Sequence, residues 1–115
     1  MWEITLFEDE NGNIPVNEFI LAQSDKMKAK ILREIDLLEE LGIRLRLPHS
    51  RSLGDSLYEL RISSEGNISR VIYFHYTGNS FVLLSGFTKK TKRTPVRELK
   101  LAEARMKEYR RIKDE

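Results

Sequence analysis

At 115 residues, 40% hydrophobic and 33% charged, the chain is sized for a single domain over residues 1–115, with a core near the small end of what folds alone. It has no cysteine and only two histidines, His49 and His75, far apart in sequence, which argues against a disulfide framework, a thiolate nucleophile or an ordinary zinc site. The net charge of +2 conceals a split: residues 1–43 carry ten Asp or Glu against four Lys or Arg, whereas residues 89–113 carry eleven Lys or Arg against three Glu.

Taken in chain order, Trp2-Glu3-Ile4-Thr5-Leu6-Phe7 alternates apolar and polar residues as a strand does. Asp9 to Asn13 reads as a turn, and Pro15 suits the first turn of a short helix ending near Leu21. Ser24 is placed to cap a second helix with Met27, Ile31, Ile35, Leu38 and Leu41 on one face, closed by Gly42. Residues 43–56, with Pro48 and Gly54, read as a loop. Three strands follow, Leu57 to Ser63, Ile68 to Tyr76 and Ser80 to Phe87, joined by connections of hairpin length. Pro95 opens a last helix, with Thr94 as its cap and Val96, Leu99, Ala102, Met106 and Tyr109 on one face. The expected fold class is α+β: an N-terminal strand, two helices, an antiparallel three-stranded meander and a basic C-terminal helix, with the helices packed on an antiparallel sheet.

The basic C-terminal quarter attracts polyanions, and nucleic acid is the commonest of these in a cell. The first residues lack a basic stretch followed by an apolar one, and no apolar run approaches the roughly 20 residues that span a bilayer. A soluble, cytoplasmic protein without membrane contact is expected.

The stretches Leu53-Gly54-Asp55-Ser56-Leu57-Tyr58-Glu59-Leu60-Arg61, Arg70-Val71-Ile72-Tyr73-Phe74 and Leu84-Ser85-Gly86-Phe87-Thr88-Lys89-Lys90-Thr91, followed by Thr94-Pro95 and a basic helix, occur in one order. In that order they resemble the RelE/HigB family of type II toxins, most closely its phage-derived, HigB-like branch. The resemblance covers the order of elements over nearly the whole chain. It implies a RelE-like fold, cleavage of messenger RNA on the translating ribosome, and silencing by a HigA-like helix-turn-helix antitoxin. The chain has Glu59 where some family members place a lysine.

Metal-independent RNA cleavage needs a base on the attacking 2′-hydroxyl, cations around the phosphorane and an acid for the leaving 5′-oxygen. No cofactor is then required. Arg61 and Arg70 lie on adjacent strands of one hairpin and are candidates to grip a phosphate; alternation leaves open whether they share a face, because the strand from Ile68 is apolar on both sides. Arg61 has a plain alternative as the ion-pair partner of Glu59. Lys89, Lys90 and Lys92 emerge after the next strand, where crowding lowers a lysine's pKa. Lys90, the second lysine of the pair the family carries, is the catalytic candidate, with Lys89, Lys92 and Arg93 as substrate-binding residues. Tyr73 and His75 are further candidates for substrate contact, each with a plain reading as core or surface. His49 reads as a loop histidine.

Two other functions use the same features. ParE-like toxins resemble RelE proteins and bind DNA gyrase without catalysis, and a nucleic-acid-binding module would need a platform or helix-turn-helix that this chain lacks. The expected partners are messenger RNA, the ribosome with its rRNA, and the antitoxin. The antitoxin either covers Arg61, Arg70 and Lys90 or, docking on the acidic half, excludes the toxin from the ribosome by bulk; the second route is favoured because the acidic half has no other use.

Overall fold

The computed structural model describes residues 1–88 and 93–114. Among these, strand β1 (Glu3–Leu6) is followed by helices α1 (Pro15–Leu21) and α2 (Asp25–Leu41) and a 3₁₀ turn at Gly42–Arg44. Strands β2 (Ser50–Gly54), β3 (Leu57–Ser64), β4 (Asn67–Thr77) and β5 (Ser80–Thr88) come next, and helix α3 (Val96–Lys113) ends the chain. The strands form one five-stranded sheet in the order β1-β5-β4-β3-β2. β2 to β5 run antiparallel, whereas β1 joins β5 in parallel, Glu3 beside Ser80 and Leu6 beside Leu83.

Two expectations about the sheet are corrected. It is mixed rather than antiparallel, and it has a strand, β2, within the segment read as a loop. β2 escapes a pattern search because Ser50-Arg51-Ser52-Leu53-Gly54 is short, lacks β-branched residues and carries a bulge between Ser52 and Gly54. Its pairing with β3 depends on a tight turn at Asp55 and Ser56, both at positive φ (50° and 71°), the backbone hand that favours a two-residue hairpin.

The helices divide between the two faces. Ser24 Oγ accepts a hydrogen bond from Met27 N at 3.2 Å and so caps α2, whose buried Met27, Ile31 and Leu38 pack on β3 with Leu60 and Ile62. Gly42 ends this helix at φ 57°, and a Cβ there would fall 1.9 Å from Trp2 Cε2, so only glycine serves. α1 lies on β5 so closely that a Cβ at Gly86 would meet Phe19 Cδ2 at 2.3 Å. On the opposite face α3 lays Ala102, Met106 and Tyr109 over Phe74, Val82, Leu84 and Phe87. Arg105 Nη1 pins it there by donating to Leu84 O at 3.0 Å and Ser85 Oγ at 2.7 Å. Val96, expected on the apolar face, is instead exposed. Each large apolar side chain removed from water contributes roughly 1.5–3 kcal/mol, and β4, central in the sheet, has buried residues on both faces. Among the described residues no helix is long and apolar enough to cross a membrane.

Candidate functional site: an arginine cluster around a buried carboxylate

The turn at Glu65 and Gly66, both at positive φ, fixes Ser64 opposite Asn67 and, counting back along the ladder, Arg61 opposite Arg70. Directly opposed residues of an antiparallel pair point to the same face. Arg61 and Arg70 therefore share the α3 side of the sheet. Glu59, two residues before Arg61, points the same way and lies opposite both Ile72 on β4 and Arg51 on β2. The register thus brings three guanidiniums around one carboxylate at the end of the sheet face that α3 leaves uncovered by its apolar contacts.

Glu59 is the hub. It is 0% exposed; its Oε2 accepts the Thr94 hydroxyl at 2.5 Å, and its Oε1 lies 3.4 Å from Arg51 Nε and 3.7 Å from Arg61 Nε. Thr94 was expected to cap α3, but Pro95 occupies the cap position without a side-chain cap bond, and the threonine hydroxyl ties the start of the helix to the carboxylate instead. The positive end of the α3 dipole is consequently held beside the cluster.

Arg70 is fully buried, with its guanidinium carbon 6.0 Å from the centre of the Phe87 ring. Burial lowers its pKa, Glu59 works against that shift, and Arg61 and Arg51 add to it. Guanidinium titrates so far above neutrality that the group keeps its charge. Arg51 and Arg61 retain 34% and 22% side-chain exposure, so they form the accessible rim. The exposed parts of Arg51 and Arg61 present positive charge to solvent beside the buried Glu59.

The other candidates fall elsewhere. Tyr73 points to the α1–α2 face, where it is 2% exposed, bonds Ser50 Oγ at 2.5 Å and stacks on Tyr58 at 5.6 Å; burial pushes its hydroxyl up to about 12. His75 sits on that same face near the β4–β5 turn, its Nε2 2.6 Å from Gly78 O and its ring against Trp2 and Phe81. Neither joins Arg61 and Arg70. Arg93 is exposed and adjoins Thr94 in the chain. Lys89, Lys90 and Lys92 lie outside the described residues. Sequence reasoning missed Arg51, because its strand was read as loop, and missed Glu59 and Thr94 as organising groups. The signal for Arg51 was Leu53-Gly54-Asp55-Ser56-Leu57, a tight turn that demands a strand on its near side as well as its far side.

No curated protein matches this chain. The family model described as phage-derived protein Gp49-like matches residues 18–107, from α1 through most of α3, and so includes the whole arginine cluster. Membership is consistent with a toxin of a toxin–antitoxin pair. On this match the chain belongs to the Gp49-like family, within the RelE/HigB-like toxin superfamily.

Proposed function

We propose that the protein is a toxin that cleaves messenger RNA on the translating ribosome, a metal-independent endoribonuclease of the HigB-like kind. The observation that carries this reading is the convergence of Arg51, Arg61 and Arg70 on one buried carboxylate, immediately before a basic helix. Arg51 and Arg61, on the rim, meet the non-bridging oxygens of the scissile phosphate. Arg70, beneath them, adds positive potential without touching RNA. As the 2′-oxygen attacks, the phosphorane gains charge, and preorganised guanidiniums stabilise that charge more than they stabilise the starting diester. Glu59 keeps the three cations from repelling one another in the absence of RNA. Lys89, Lys92 and Arg93 dock the RNA backbone, and Lys90 serves the leaving 5′-oxygen. The ribosome aligns the substrate, which a sparsely equipped site requires.

The partners under this reading are the ribosome with its messenger RNA and a helix-turn-helix antitoxin of HigA type, which acts in the cytoplasm by excluding the toxin from the ribosome. The test maps RNA 5′ ends in cells expressing the wild type and an Arg51/Arg61 double alanine variant. Cuts within translated frames that the folded variant does not make support the reading. Growth arrest with intact RNA and inhibited gyrase supercoiling would replace it with a ParE-like one.

A further inference from the structure

The side of α3 that points away from the sheet carries charges the cleavage site leaves unused. Ala102 and Met106 are buried against the sheet, and the opposite side of the helix presents Arg97, Lys100, Ala104, Lys107 and Arg111, all exposed. Steps of three and four residues set these five in one row along about 21 Å of helix. The acidic residues of the helix flank this row rather than interrupt it. Glu98, Glu103 and Glu108 are each partly covered, and Glu98 and Glu108 act on Arg105, the residue that pins the helix to β5. Among the described residues Arg97, Lys100 and Lys107 form no ion pair.

Helix stability does not account for this row. Arg97 and Lys100 stand at the N-terminal end of α3, where the helix dipole disfavours cations. Arg97 with Lys100, and Lys107 with Arg111, are like-charge neighbours three and four residues apart, which is also unfavourable. Local rules broken together on one face mark a surface shaped by what it binds. We infer that the row is a docking surface for the backbone of double-helical RNA, separate from the site that cuts. A straight row of cations suits phosphates held in fixed rows, whereas a protein interface centres on large apolar side chains and the middle of this row is Ala104. Single-stranded RNA is held by bases stacked on aromatic rings, and the one aromatic residue of α3, Tyr109, is turned inward against Phe74 and Tyr76. The choice of RNA over DNA rests on the ribosome reading and deepens it: base-paired ribosomal RNA is the support, and the message is the single strand that is cut. Thr94 ties the start of α3 to Glu59, so a helix lying on ribosomal RNA holds the arginine cluster at a set distance from that support.

The experiment is fluorescence anisotropy of the whole protein, without ribosomes, on an RNA duplex of about 16 base pairs, one of its single strands and a DNA duplex of the same sequence, with polyglutamate as a competitor. Wild type is compared with an Arg97→Gln/Lys100→Gln/Lys107→Gln variant, and cleavage on ribosomes is measured in parallel. Wild type is expected to bind the RNA duplex more tightly than the other probes. The variant is expected to bind it roughly tenfold or more weakly, with a slope of log affinity against log salt smaller by about 2–3, close to 0.9 per cation. It should melt at or above the wild-type temperature, because the substitutions relieve repulsion. An RNA duplex that wild type ignores, or that the variant binds equally well, overturns the inference. So does a preference for the single strand, the DNA duplex or polyglutamate, and so does a variant that melts below wild type, which would give the row a structural role. Wild type that cuts the message but ignores the duplex leaves the endonuclease reading without this surface; wild type that binds the duplex and cuts nothing leaves the surface without the endonuclease.

Discussion

Replacing Glu59 by glutamine tests the physical logic of the cluster without changing its shape. The amide keeps the side-chain volume and an oxygen for the Thr94 hydroxyl, now at 2.5 Å from Oε2, but removes the negative charge that Arg51, Arg61 and Arg70 share. Breaking a buried ionic group by removing one partner costs about 3–5 kcal/mol. The preserved hydrogen bond and the part-exposed Arg51 and Arg61 place this substitution at the low end, near 3 kcal/mol. That is a large share of the 5–15 kcal/mol typical of a whole domain. At this size it lowers Tm by about 10 °C. The same change raises the positive surplus, so inorganic phosphate or a short RNA should bind the variant more tightly and recover more of its Tm than it adds to wild type. The assay is thermal unfolding by circular dichroism at neutral pH, with and without phosphate. A Tm within about 2 °C of wild type, or equal shifts on adding phosphate, would refute both the hub and the anion site.

Further predictions bear on separate parts of the molecule. Arg61→Ala should reduce cleavage roughly 100-fold, on the order of 3 kcal/mol of transition-state stabilisation, in a protein whose circular dichroism is unchanged, whereas Arg70→Lys, which keeps the charge beneath the rim, should reduce it far less. Ribosome affinity should fall steeply with rising salt, and a Lys89/Lys90/Lys92 triple alanine variant should show a shallower salt slope and little toxicity in a growth assay. Tyr73→Phe should leave toxicity intact and cost about 1 kcal/mol for the lost bond to Ser50, read by denaturant unfolding. Because burial raises the folded-state pKa of Tyr73 from 10.0 to about 12, its contribution is complete below pH 10 and fades as pH rises through 12. The unfolded chain releases that proton first, so wild type should lose roughly 2–3 kcal/mol across this window that Tyr73→Phe does not.

Most of the helices and the β3–β5 meander are legible in the sequence because each carries its own punctuation. Ser24 and Gly42 bracket a helical stripe, and Gly66 and Gly78 stand at tight turns between alternating runs. The shared face of Arg61 and Arg70 was also legible in principle: a two-residue turn at Glu65-Gly66 fixes the register that opposes them. What the sequence conceals is contact between distant segments. Nothing local in Glu3–Leu6 announces a parallel partner in β5, and nothing in Thr94 distinguishes a helix cap from a hydroxyl bound to Glu59. Tyr73 and His75 were drawn toward the site by their strand, but side-chain alternation sends them to the face that α1 and α2 cover.

The parallel pairing of β1 with β5 has a consequence for how the protein comes into being. Trp2, Ile4 and Leu6 leave the synthesising ribosome well before the strand they lie against, around Phe81 and Leu83. The α1–α2 core cannot close until then, since Phe81 and Leu83 belong to it. Long-range pairing of this kind slows folding and keeps apolar surface open meanwhile. A nascent chain is therefore incomplete as a fold until β5 has been made. Premature termination upstream of Ser80 yields a fragment with an orphaned first strand, a substrate for proteolysis rather than a partial poison.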